Sequence, residues 1–132
     1  GPQTLTYYKQ LKKKWKVSIA AMIRRAQKLN VMSLDEYQFL IRQMQRRGQR
    51  KEVPLDDTLL TATPAMLKTA VLMLLQENVF TPKEFMDELA DNYNLSINPS
   101  EVEYLLDLPT GTLVPSNVID FSSLQIKRSR NT

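Results

Sequence analysis

The chain has no cysteine and no histidine. Without cysteine there is no disulfide framework and no thiolate metal site, which fits a reducing, cytoplasmic setting. Without histidine there is no His-containing triad and no HExxH helix. Together the two absences remove the ordinary zinc sites and the Cys and His routes to nucleophilic catalysis. Glycine occurs three times, and neither a GxxxxGK[ST] loop nor a GxGxxG fingerprint is present. Nucleotide binding therefore lacks its usual phosphate cradle. Long hydrophobic runs are missing too. The most apolar stretch, AVLMLL at residues 70–75, is far short of the roughly 20 residues that span a bilayer. Adjacent carboxylates such as Asp56 with Asp57, and Asp87 with Glu88, read as solvated acidic surface rather than as catalytic pairs. The expectation is a non-enzymatic chain with no catalytic residue, no metal, no cofactor and no membrane partner.

What is present is helix-rich composition and a divided charge. Hydrophobic residues make up 42% of the 132, enough for a folded core rather than a disordered chain. Residues 1–52 carry 13 Lys and Arg against 3 Asp and Glu, a net +10, whereas residues 53–132 carry 5 against 11, a net −6. A basic half calls for an anionic partner, nucleic acid or acidic protein. The acidic half argues against one continuous nucleic-acid track.

Periodicity predicts a mainly α fold of two small helical lobes, helix-turn-helix-like in arrangement, with short strands near the C-terminus. Gly1 and Pro2 read as the scar of tag removal, and the chain as a piece of a longer protein. A first helix is expected over residues 4–15, with Leu5, Tyr8, Leu11 and Trp15 on one stripe. A break at Lys16 and Val17 leads to Ser18 as N-cap of a second helix, on which Ile19, Met22, Ile23, Ala26 and Leu29 face inward. Ser33 and Glu36 form a capping box for a third helix, with Tyr37, Leu40, Ile41 and Met44 inward and Gly48 as its stop. These helices make a basic lobe, residues 3–48. Residues 49–62 read as a linker, apolar enough at Leu55, Leu59 and Leu60 to lie across a surface. An acidic lobe follows over residues 63–132. Thr63 with Pro64, Thr81 with Pro82, and Asn98 with Pro99 each signal a helix start. The apolar helix over residues 65–75 is expected at the centre of this lobe or at a homodimer interface. Residues 118–121 and 124–126 read as short strands or an extended tail packed on the helices, with fraying after Lys127.

The constellation that points to a function is the basic stretch KWKVSIAAMIRRAQKLNVMS, residues 14–33. In a helix-turn-helix layout Val17 packs into the turn and Ser18 starts the groove-reading helix. Lys12, Lys13, Lys14 and Lys16 then approach phosphates, Ser18, Ala21, Arg25 and Lys28 face the groove, and Arg24 joins them on the outward side. The same residues suit protein docking. Trp15, Val17, Ile19, Met22, Ile23, Ala26 and Leu29 are assigned to the structural core in either case.

This stretch, with EYQFLIRQMQRRGQRKEVPL after it, resembles the region following the catalytic domain in the ImmA/IrrE family of zinc metallopeptidases. The resemblance rests on Trp15, Val17, Ser18, Ala20, Ala21, Arg25, Ala26, Leu29, Val31, Met32, Ser33, Tyr37, Arg46, Arg47, Gly48, Glu52 and Pro54. The later LLDLPTGTL, residues 105–113, is similar to endings common in that family. Glu52 and Pro54 are separated by Val53 where the family tends to have them adjacent, and the HExxH helix is absent from this chain. The resemblance implies the non-catalytic C-terminal part of a regulatory peptidase, zinc belonging only to an upstream domain. It implies a helix-turn-helix repressor as protein partner, gripped by the basic face. The alternatives are a DNA-binding transcriptional regulator on operator DNA and a dimerisation lobe.

Overall fold

The computed structural model describes the backbone of residues 2–114 and the side chains from Leu5 to Val114. Six helices follow one another: α1 (Pro2–Lys28), α2 (Leu34–Arg47), α3 (Leu55–Thr58), α4 (Pro64–Gln76), α5 (Pro82–Tyr93) and α6 (Pro99–Leu106). The fold is mainly α, with no strand among the described residues. The strands expected over residues 118–126, and the frayed tail, lie outside them.

The largest departure from expectation is α1. It runs unbroken for 27 residues, about 40 Å, through the expected turn at Lys16 and Val17. Pro2, set aside as a scar, is its first residue. The two stripes read as separate helices are one stripe in phase. Leu11, Trp15, Ile19, Met22, Ile23 and Ala26 recur at three- and four-residue spacing and are all buried. A serine within a helix costs only about 0.5 kcal/mol of propensity, against about 1.5–3 kcal/mol for each large apolar side chain buried. The continuous stripe therefore overrides the cap signal. Two core assignments fail with the turn: Val17 is 70% exposed and Leu29 is 60% exposed. Leu5 and Tyr8 also lie on the surface, so burial along α1 begins at Leu11.

Each helix end has a local cause. α1 stops where Asn30 takes a left-handed φ of 60°. There the N–H of Val31 donates to the Ala26 carbonyl at 2.8 Å and that of Asn30 to Gln27 at 3.1 Å, closing a Schellman turn. The predicted capping box of α2 is formed, Glu36 N–H to Ser33 Oγ and Ser33 N–H to Glu36 Oε1, both at 3.1 Å. At the other end of α2 the left-handed residue is Gln49 (φ 54°), not Gly48 (φ −85°). Gly48 is needed for space: a Cβ there would stand 2.6 Å from the sulfur of buried Met66. The Thr-Pro and Asn-Pro pairs open α4, α5 and α6 as predicted, each with a side-chain cap.

The core does not divide at residues 49–62. α2 packs on α4 across that segment, and α1 reaches both α4 and α5. Buried residues from both halves form one cluster. The expected linker is itself pinned to the body. The Gln45 amide donates to Val53 O at 2.7 Å and to Thr58 Oγ1 at 3.0 Å, and Arg50 Nη1 donates to Thr61 O at 2.7 Å. Thr58 and Leu59 are buried. α4 is central, touching α1, α2 and α6, which accounts for its apolarity nearly all round. At the C-terminal side, residues 111–114 wrap the buried Glu103 carboxylate, whose Oε2 accepts from the N–H groups of Leu113 at 2.7 Å and Val114 at 3.2 Å.

Candidate protein-docking groove

Because α1 is continuous, residues 13, 16, 17, 20, 21 and 24 fall on one side of it, opposite the buried stripe. Lys13, Lys16 and Arg24 stand along this side, with Val17, Ala20 and Ala21 between them. Leu59, Leu60 and Ala62 rise from the segment after α3, and Leu67 comes from α4. Together they bound a groove of about 540 Å³. The floor is aliphatic and the rim basic, with no acidic side chain lining it. Two apolar side chains stand out in water at its edge, Val17 and Leu60 at 70% and 74% exposure. None of Lys13, Lys16 and Arg24 forms a salt bridge with another described residue. Arg24 acts on the neighbouring α2: burial raises the pKa of the Tyr37 hydroxyl, the Arg24 charge opposes that shift, and Asp56 adds to it.

The structure distributes the eight basic-face residues over several surfaces. Lys13, Lys16 and Arg24 share the groove. Lys14 turns the other way, its ammonium donating to the Asn94 carbonyl at 2.9 Å beyond the end of α5. Arg25 lies beside Tyr93 of α5. Burial raises the pKa of that hydroxyl, and the charge and hydrogen bond of Arg25 counter the rise. Lys12 and Lys28 are exposed outside the groove lining. Ser18 is not outward at all: it is 5% exposed, on the core side of α1. It neither caps a helix nor offers a hydroxyl to a partner.

Of this surface, sequence reasoning named Ala21 as outward and missed Ala20, Leu59, Leu60, Ala62 and Leu67. The signal was the apolar character of residues 55–60, which places that segment on a surface without naming the surface it meets. Among the described residues no group of three or more His, Cys, Asp or Glu is placed to hold a metal ion. No described helix is long and apolar enough to cross a membrane. No family model, curated protein or solved structure matches the chain.

Proposed function

We propose that this chain is a protein-docking module whose basic-rimmed groove takes an amphipathic, acidic helix of a partner. The observation that carries the reading is the pairing of Val17 and Leu60, exposed on an aliphatic floor, with Lys13, Lys16 and Arg24 around them. A helix laid in such a groove covers the apolar edge, and its carboxylates meet the rim. A phosphate backbone gains from the three cations but nothing from Val17 and Leu60. A groove-reading helix-turn-helix also needs a turn at Lys16, a buried Val17 and an outward Ser18, whereas α1 is continuous, Val17 is exposed and Ser18 is buried. The resemblance to the ImmA/IrrE family names the class of partner, a helix-turn-helix repressor held for cleavage by a separate zinc domain. On that reading the chain supplies grip and register and no catalytic group.

The test is capture of the cognate repressor by the full chain and by two variants, Val17→Asp with Leu60→Asp, and Arg24→Glu with Lys13→Glu. Both variants should lose at least tenfold in affinity, while Arg25→Glu, on another face, should keep it. Equal capture by all three refutes the groove. Tight binding of operator-length duplex that weakens steeply with salt, unmoved by Val17→Asp, points to the DNA reading instead.

A further inference from the structure

A second groove, of opposite character, lies between the start of α2 and the end of α4. Its volume is about 350 Å³. Asp35, Glu36 and Glu77 rim it, Phe39, Met73 and Val79 supply apolar wall, and no basic side chain lines it. Phe39 is 57% exposed, a large aromatic standing in water. Glu36 is held in the α2 capping box, whereas Asp35 and Glu77 form no salt bridge with another described residue.

A surface of the complementary kind stands on the same molecule. Along the first turns of α1, Leu5, Tyr8, Lys9 and Lys12 follow the i, i+3, i+4, i+7 spacing that puts four side chains on one helix face. All four are exposed, Leu5 at 66% and Tyr8 at 53%. The Tyr8 ring meets that of Tyr7 edge-on, with 5.8 Å between centroids, a pairing that braces the ring without covering it. Neither Lys9 nor Lys12 forms a salt bridge with another described residue. The ridge is apolar at one end and cationic at the other, and the groove offers apolar wall and an anionic rim.

We propose that the acidic groove takes this ridge from a second copy of the chain. Leu5 and Tyr8 then cover Phe39 and Met73, while Lys9 and Lys12 meet Asp35 and Glu77, as when an amphipathic helix is laid in a groove. A chain cannot fill its own groove in this way. α1 is one unbroken helix, fastened at Lys14 by its 2.9 Å hydrogen bond to the Asn94 carbonyl, and no residue of α1 lines the acidic groove. The other groove, rimmed by Lys13, Lys16 and Arg24, repels the same lysines. Two helical turns offer less than the roughly 1,200–2,000 Å² that stable interfaces bury, so the association is weak and reversible.

The test is sedimentation velocity of the full chain across a wide range of concentration, where the weight-average mass should rise above that of the monomer. Leu5→Gln with Tyr8→Gln removes the ridge, and Phe39→Ser with Glu77→Lys removes the groove. None of the four positions is buried, and circular dichroism checks that both variants fold. Each variant alone should lose at least tenfold in self-association. Mixed, the two should pair again, because the ridge variant keeps an intact groove and the groove variant an intact ridge. A wild-type chain that stays monomeric overturns the proposal. So does a folded variant that self-associates like wild type, or a mixture that associates no better than its components.

Discussion

The continuity of α1 at Val17 can be tested with two substitutions whose effects change sign if the helix is broken there. In an unbroken helix with Val17 70% exposed, Val17→Ala removes a β-branched side chain and gains about 0.5 kcal/mol of helix propensity. It also loses two methyl groups that are less than a third buried. At about 0.8 kcal/mol per fully buried methylene-sized group, that is roughly 0.5 kcal/mol. The net change is close to zero. Val17→Pro removes the N–H that bonds the residue-13 carbonyl and sets the ring against it, for about 3 kcal/mol or more. If the chain turned at Lys16 with Val17 packed inside, the alanine would cost about 2–3 kcal/mol as a buried truncation. The proline, in a turn, would cost little. Urea unfolding followed by circular dichroism at constant m-value separates the cases. In thermal melts each kcal/mol is worth roughly 3–5 °C at this chain length. A Val17→Ala variant destabilised by more than about 1.5 kcal/mol, with Val17→Pro near wild type, would refute the continuous helix.

The cap of α2 makes an inverted prediction about glycine. Gln49→Gly should stabilise by about 0.5–1 kcal/mol because the left-handed residue is Gln49. Gly48→Ala should destabilise by about 1–2 kcal/mol through overlap with buried Met66, and denaturation midpoints that rank the two the other way contradict the assignment. Glu103 predicts a pH dependence. Burial resists its ionisation, but the N–H groups of Leu113 and Val114, with those of Gly111 and Thr112, outweigh that and hold its pKa below the ordinary 4.5. A depressed native pKa contributes stability that is full above 4.5 and lost as pH falls through the lower native value. The stability gap between wild type and Glu103→Gln should therefore shrink on acidification below 4.5, and a gap that stays constant or widens counts against the carboxylate's role.

Much of the fold was legible in the residues, and the failures share a cause. Capping chemistry is local, so Ser33 with Glu36 and the three proline-led helix starts could be read directly. Ser18 carries the same local signal as Ser33 without being a cap. The difference lies in the stripe around it. Before Ser33 the apolar phase ends at Ala26 and Asn30 offers a left-handed stop, whereas Trp15 and Ile19 continue in phase on either side of Ser18. Exposure was harder to read than helicity. Val17 and Leu29 are apolar, but the helix rotation carries both away from the core, and their exposure follows once α1 is taken as a single element. The groove was the least legible feature. One wall of it comes from Leu59, Leu60, Ala62 and Leu67, 35 or more positions from Arg24, and no sequence period links the two walls. Only the packing of α4 between α1 and α2 brings them to the same face.

The undivided core has a consequence for how the chain meets other molecules. With no hinge at residues 49–62, the α1 wall of the basic groove and the wall from Leu59, Leu60, Ala62 and Leu67 sit at a fixed separation on one body, like two jaws cut from a single block. Positive charge at the fixed points Lys13, Lys16 and Arg24 orients an approaching acidic partner before contact. A partner also meets a surface that is already shaped, so the ordering cost of association falls on its own flexible segment rather than on a rearrangement of lobes. Substitutions that loosen the Gln45 and Arg50 ties across the 49–62 segment should therefore weaken docking even though neither side chain lines the α1 groove.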